Sequence, residues 1–170
     1  MFTVANEEKT KKLIQAQKRH MHIGVPGHGI VIAVPIKSVG GGKTVAFLNG
    51  ETDNAAYTPS LNYAHELIVA VCSQGCTDMV MNAARAAGAR GGTVLHGKGT
   101  GAKGAPKFYN ITIAQEKEMI LIVAATSQKA AIMQSILKKA GPDSKAGTIV
   151  FSLPTTQVAG FALLDNQYET

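Results

Sequence analysis

Apolar and polar residues follow one another along residues 66–153 in a regular succession of strand-like and helix-like segments. Short continuous apolar runs rich in β-branched residues predict buried strands, and apolar residues three and four positions apart predict helices. The predicted strands are 66–71, 91–97, 117–125 and 148–153, and the predicted helices are 79–88 and 128–141. The order β-α-β-β-α-β is typical of a ferredoxin-like α+β fold, in which both helices cover one face of an antiparallel sheet.

Small polar residues and glycine mark the ends of the two predicted helices. We expect Thr77 or Asp78 to cap the first helix, Gly88 to end it, and Ser127 to cap the second. The helical spacing predicts buried stripes at Val80, Ala83, Ala84 and Ala87 in the first helix and at Ala130, Met133, Ile136 and Leu137 in the second.

Residues 2–41 repeat the pattern of residues 121–160. When residues 2–41 are shifted by 119 positions onto 121–160, 8 of the 40 aligned positions are identical, including a proline and a glycine that end the predicted strand. This internal repeat predicts an N-terminal β-α-β half-repeat in residues 1–48. Residues 49–64 are polar and are expected to be a linker, and residues 65–165 are expected to form the complete ferredoxin-like domain.

The charge composition of the chain indicates which kind of molecule it binds. The chain has 170 residues, a formal net charge of +6 and a pI near 9.4, which favours anionic partners such as nucleotides. The basic residues are dispersed, so no nucleic-acid-binding arm is predicted. No apolar run approaches the roughly 18 residues that span a bilayer, and residues 1–12 do not resemble an export signal. The expected location is the cytoplasm.

Two glycine-rich segments resemble nucleotide-binding motifs without meeting their requirements. The segment 38–44 ends in Gly-Lys-Thr, but a Walker loop requires glycine at position 37, which is lysine, and a helix after the motif. The segment 99–104 reads G-x-G-x-x-G, but Pro106 interrupts the helix that a dinucleotide fold places there. The second segment is interpreted either as an anion-binding nest or as a surface loop.

Three blocks of sequence, taken together, resemble the PII signalling family, in particular its PII-like branch. They are residues 83–101, 116–123 and 147–160, and residues 26–41 resemble the end of a second PII-like unit, so the chain is similar to a tandem repeat with a partial first copy. The resemblance implies a trimeric regulator that is not an enzyme and requires no cofactor. It also implies a small effector, commonly an adenine nucleotide (ATP, ADP or AMP), bound between subunits, and control of a partner enzyme, transporter or regulator protein in nitrogen or related metabolism.

The resemblance also implies which residues contact the effector. In the domain 65–165 these are Gly91, Gly92 and Thr93 at the start of the second strand, Gly99, Thr100, Gly101 and Lys103 at the base of the loop, and Ala146, Gly147 and Thr148 before the last strand. In the first copy they are Gly27, His28 and Gly29. Both copies lack the phosphate-binding lysine and arginines of the family, and fixed cations contribute strongly to triphosphate binding.

Alternatives therefore remain open. Without those cations, the chain is also interpreted as an oligomeric scaffold that binds no effector, and a third interpretation is an acylphosphatase-like hydrolase. Cys72 and Cys76 are expected to be structural, although a redox or metal role is the competing interpretation. His96 is expected to lie on the strand surface or to contact an anionic ligand. A metal cluster of His20, His22 and His28 is considered, but no metal site is predicted.

Overall fold

The computed structural model describes residues 3–23, 25, 28–36, 60–99, 107–108, 111–112 and 115–160. The helices are α1 (Glu7–His20), α2 (Thr77–Ala86) and α3 (Thr126–Ala140). The strands are β1 (Val31–Ala33), β2 (Asn62–Ser73), β3 (Thr93–Gly99), β4 (Lys107–Phe108), β5 (Ile111–Thr112), β6 (Gln115–Ala125), β7 (Ile149–Thr155) and β8 (Gln157–Ala159). The chain divides into two compact units, of which the second is Tyr63–Pro154 and the first contains the remainder.

The second unit contains a four-stranded antiparallel sheet in the order β3-β6-β2-β7. The register pairs Val69 with Leu121 between β2 and β6, and Leu95 with Met119 between β3 and β6. With α2 between β2 and β3 and with α3 between β6 and β7, this arrangement confirms the predicted ferredoxin-like α+β fold. The short pair β4-β5 lies between β3 and β6 in the sequence.

The core of the second unit lies between one face of this sheet and the two helices. Even-numbered strand residues such as Ile68, Ile120 and Ile122 are fully buried against Val80 of α2 and Ile136 of α3. Because side chains alternate between the faces of a strand, every second residue contributes to this core. The apolar runs of the sequence therefore cover both faces of the sheet, and α2 and α3 pack on one of them.

The opposite face of the sheet is also apolar, and we call it the apolar sheet face. It carries ten residues, namely Leu67, Val69, Val71, Leu95, Met119, Leu121, Val123, Ile149, Phe151 and Leu153. Three of its large side chains are well exposed, with 65% of Ile149, 42% of Phe151 and 39% of Met119 accessible. Leu67, Val69 and Val123 are buried, so the accessible part of this face is formed by Met119, Ile149, Phe151 and their half-buried neighbours. Exposed apolar patches are characteristic of interaction surfaces.

The sequence predicts where α2 and α3 lie better than it predicts which of their residues are buried and which residues cap them. In α2 the predicted stripe is largely correct, because Val80, Ala83 and Ala84 are buried. In α3 the prediction is wrong at two positions: Ala130 and Leu137 are exposed, and the buried stripe is Ile132, Ile136 and Ala140.

The predicted caps are also wrong. α2 follows Cys76 and α3 follows Ala125, and neither residue makes a side-chain capping hydrogen bond. At the other end of α2 the prediction agrees better with the structure. Gly88 adopts a φ of 101° directly after the helix, a conformation that favours glycine.

The first unit combines α1 with the antiparallel pair β1-β8, in which Val31 pairs with Ala159. Asn6 caps α1 by accepting a hydrogen bond from the Lys9 amide at 2.9 Å. A shift of 119 positions places α1 on residues 126–139, which all belong to α3, and places β1 on 150–152 within β7. The half-repeat is expected to start with a strand, but residues 3–6 form none. The residues from Thr155 onward belong to the first unit, whereas the sequence analysis expects them, up to residue 165, in the complete domain.

Candidate functional site

The predicted effector-binding residues of the second unit lie at different ends of the sheet. Gly91 and Gly92 precede β3, Thr93 is its first residue, and Gly99 ends it six residues after Thr93. At about 3.3 Å per residue, the two ends of β3 are separated by roughly 20 Å. The two groups therefore do not form one pocket within a single chain, and a site that uses both requires two copies of the chain.

Gly92 has a structural role in addition to its predicted binding role. A Cβ atom at Gly92 would lie 3.1 Å from Ile120 Cγ2, 3.1 Å from Met81 Sδ and 3.2 Å from Ile122 Cγ1. The entry to β3 thus packs closely against the core, which favours glycine. A Cβ at Gly91 would meet nothing within 4 Å, so this neighbouring position is open.

The turn before β7 contains the predicted effector contacts Ala146, Gly147 and Thr148, and the backbone amides of all three already donate hydrogen bonds within the chain. The Ala146 amide donates to Ser144 Oγ at 3.2 Å, and the Gly147 amide donates to the Ser144 carbonyl at 3.1 Å. The Thr148 amide donates to the Ala140 carbonyl at 3.1 Å, and the Thr148 side chain is fully buried. An anion at this turn would have to displace these hydrogen bonds.

The end of the sheet that carries this turn also holds a buried carboxylate that the sequence analysis did not identify. Glu118 of β6 accepts hydrogen bonds from the Gly75 amide at 3.1 Å, the Thr77 amide at 3.1 Å and Thr77 Oγ1 at 2.7 Å. Only 8% of its side chain is exposed. Glu118 therefore supplies, from a neighbouring strand, the N-terminal cap that α2 lacks in its own sequence.

The electrostatic environment keeps Glu118 ionised. The Thr77 hydroxyl and the Gly75 amide are the main groups that lower its pKa, and His96 adds a smaller contribution. His96 Nε2 lies 3.7 Å from Glu118 Oε1 and is 69% exposed. His96 is thus a surface strand residue, as expected, and it faces a carboxylate.

The contact of Lys98 between β3 and β6 bears on the acylphosphatase-like interpretation. Lys98 Nζ lies 3.6 Å from Glu116 Oε1 across the β3-β6 register. The acylphosphatase-like interpretation requires an arginine in the loop to bind phosphate, and a lysine such as Lys98 lacks the planar guanidinium group that binds phosphate with two hydrogen bonds. No contact within the described part of the chain favours the hydrolase interpretation.

The two cysteines agree with the structural interpretation. Cys72 and Cys76 are both buried free thiols. Burial raises the pKa of Cys72 to about 11, with smaller contributions from the nearby Glu118 and Cys76. A thiol with a raised pKa is protonated at neutral pH and reacts slowly.

The remaining predicted residues belong to the first copy or lie outside the described residues. His28 and Gly29 precede β1, and the His28 ring lies 6.3 Å from the His22 ring, centroid to centroid. Gly27, Thr100, Gly101 and Lys103 lie outside the described residues. Within the described ranges, no three His, Cys, Asp or Glu side chains come close enough together to hold a metal ion.

A signal for Glu118 is present in the sequence. It shares the even-numbered phase of Ile120, Ile122 and Ala124, which form the core face of β6. A glutamate in phase with buried residues requires hydrogen-bonding partners, because unpaired buried charge is very unfavourable. The phase locates the residue on the core face, but its partners become evident only from the position of α2.

Comparison with known proteins identifies the relatives of the second unit. The family model described as "Nitrogen regulatory protein P-II" matches residues 65–161. Among the solved structures that match is Arabidopsis thaliana PII bound to citrate, at 20% sequence identity and a TM-score of 0.40, covering 55% of this chain and 76% of that chain. A search of the curated proteins found no match. None of the helices in the described ranges has the length and hydrophobicity to span a membrane.

Proposed function

Because the chain belongs to the nitrogen regulatory protein P-II family, we propose that it is a regulator whose copies assemble through the apolar sheet face. In this proposal the assembly is a trimer, and it binds a small anionic effector, an adenine nucleotide, between subunits. The bound state controls an enzyme, transporter or regulator protein of nitrogen or related metabolism in the cytoplasm. The family match over the sheet-containing unit is the observation that carries the proposal.

The separation of the predicted binding residues supports a site between subunits. Gly91–Thr93 and Gly99 lie at opposite ends of β3, so both can contact one ligand only if neighbouring subunits contribute different ends. Such a head-to-tail contact closes into a ring under cyclic symmetry. Effector binding at this contact would then change the assembled surface that a partner recognises.

The apolar sheet face supports the assembly. Met119 and Phe151 would be removed from water in an interface that uses it, and apolar burial contributes about 25 cal/mol per Å². Met119→Lys and Phe151→Arg are expected to convert the assembly to the 17.8 kDa chain in light scattering. Leu137→Lys is the matched control, because Leu137 is 46% exposed on α3 and should leave the mass unchanged. A monomeric wild-type chain would contradict the assembly.

Effector binding is tested by calorimetry with ATP, ADP, AMP, cyclic nucleotides, 2-oxoglutarate and bicarbonate. The proposal predicts that an adenine nucleotide binds and that Thr93→Ala weakens binding at least fivefold, the loss of roughly one hydrogen bond. Thr10→Ala is the control, since the Thr10 hydroxyl donates to the Asn6 carbonyl within α1. Equal binding by both variants would contradict a role for Thr93.

A second candidate is an oligomeric scaffold that binds no effector. The occupied amides of Ala146, Gly147 and Thr148 favour it, because the predicted phosphate turn offers no free donor among them. The scaffold predicts that the assembly forms and that none of the effectors produces heat of binding or raises the melting temperature. Binding of any one of them with a defined stoichiometry excludes it.

A further inference from the structure

One serine side chain is bonded into the turn 141–148, which connects α3 to β7. The Ser144 hydroxyl donates to the Gly141 carbonyl at 2.7 Å and accepts a hydrogen bond from the Ala146 amide at 3.2 Å. A serine hydroxyl that bonds a nearby backbone group in this way is common in turns. Because residues 146–148 are predicted effector contacts, Ser144 occupies one of the backbone donors that the effector is expected to meet.

Backbone hydrogen bonds hold the shape of this turn. The Ser144 amide donates to the Gly141 carbonyl at 3.0 Å, and the Gly147 amide donates to the Ser144 carbonyl at 3.1 Å. The Thr148 amide donates to the end of α3 at 3.1 Å. Replacing serine by alanine should keep these three bonds and remove the acceptor of the Ala146 amide. Ala146 is fully buried, so its amide then requires a new acceptor.

The charged residues around the turn favour an anionic acceptor. Lys145 is exposed within the turn, and Lys138 and Lys139 are exposed in the last turn of α3. Asp143 is also exposed and offsets one of these positive charges. The surplus of positive charge attracts an anion, and a hydrogen bond to an anion is stronger than one to a neutral hydroxyl.

We propose that Ser144 is a specificity-determining residue, because its hydroxyl occupies the Ala146 amide and so prevents a phosphate oxygen of the effector from binding there. The inference rests on the proposed function, since it takes the turn 141–148 as part of the effector site. Ser144 is half-buried, and Lys145 and Gly147 are exposed, so removal of the hydroxyl opens its place to an oxygen of the ligand. The amide then donates to a charged acceptor instead of a neutral one.

The test is calorimetry of AMP, ADP and ATP with the full chain at pH 7.5, in EDTA so that no divalent cation neutralises the phosphates. At least one nucleotide should bind Ser144→Ala at least fivefold more tightly than the wild type, the gain of about one hydrogen bond to a charged group. Ser144→Thr keeps the hydroxyl and should stay within twofold of the wild type. Ser135→Ala is the matched control with the same expectation, because the Ser135 hydroxyl donates to the Ala83 carbonyl at 2.7 Å, between α3 and α2.

The Ala146 amide provides a second measurement. In the free protein its hydrogen exchange should be faster in Ser144→Ala than in the wild type, and its proton resonance should shift downfield when a nucleotide binds the variant. If Ser144→Ala binds every nucleotide no more tightly than the wild type does, the inference is wrong. The proposed regulator stands in that case as long as the wild type binds a nucleotide, whereas no binding by any of the chains contradicts both.

Discussion

Glu118→Gln tests how α2 is attached to the sheet. The exchange keeps the side-chain length but removes the charge and replaces one acceptor oxygen by an amide donor. Glu118 accepts three hydrogen bonds from Gly75 and Thr77. Hydrogen bonds to a charged group contribute about 1.5–3 kcal/mol, neutral ones about 0.5–1.5 kcal/mol, and an N-cap about 1 kcal/mol. We expect the free energy of unfolding to decrease by about 2 kcal/mol, since part of the cap survives in Gln.

The assay is urea denaturation at pH 7 followed by circular dichroism, together with hydrogen exchange of the Gly75 and Thr77 amides. Glu116→Gln is the matched control on the same strand. Glu116 is 44% exposed and lies 3.6 Å from Lys98, and pairs of this kind contribute about 0.5 kcal/mol or less. Equal stabilities of the two variants, or unchanged protection of the Thr77 amide in Glu118→Gln, would refute the capping role of Glu118.

The same contact predicts a dependence on pH. The pKa of Glu118 is lowered in the folded state, mainly by the Thr77 hydroxyl and the Gly75 amide. Its contribution to stability is therefore complete above the unfolded pKa of about 4.3 and is lost as the pH falls through the lower folded pKa. The difference in unfolding free energy between wild type and Glu118→Gln should be fully present at pH 6 and should shrink below pH 4.3. A difference that grows on acidification would have the wrong sign.

Three further predictions concern packing and burial. Gly92→Ala should lower the free energy of unfolding by about 1 kcal/mol through overpacking, whereas Gly91→Ala should be nearly neutral, as measured by urea denaturation. Thr148→Val should be neutral or stabilising, because the buried Thr148 hydroxyl has no hydrogen-bond partner among the described residues; a loss above about 1 kcal/mol would reveal a partner. Cys72 should resist iodoacetamide at pH 8 in the native state and react in urea, since burial raises its pKa to about 11.

The local pattern of the sequence is sufficient to predict the elements of the second unit. Continuous apolar runs identify β2 and β6 because both faces of the sheet are apolar. The predicted internal repeat also places a helix within residues 1–48, where α1 spans Glu7–His20, but the repeat itself stays a prediction. An apolar run depends only on neighbouring residues, and an internal repeat is found by comparing two parts of the same chain. A single sequence therefore contains both signals.

Features that depend on distant residues are predicted less well. The cap of α2 comes from Glu118, which follows Thr77 by 41 positions, so no local capping rule identifies it. Two positions of the α3 stripe are misassigned because Ala130 and Leu137 continue an apolar pattern, whereas the residues buried together with Ile136 are Ile132 and Ala140. The predicted effector residues rest on similarity to the family, and Gly92 shows that packing alone also favours glycine at such a position.

The most direct test of the proposed regulator is calorimetry on mixed assemblies. Thr93→Ala and Lys103→Ala each remove a residue from one of the two groups that neighbouring subunits are proposed to contribute to the site. Each variant alone should bind the adenine nucleotide weakly. Random co-assembly of equal amounts should restore full affinity at about a quarter of the sites, because one interface in four then combines two intact halves. If no high-affinity sites return on mixing, the two groups do not meet between subunits and the central claim is wrong.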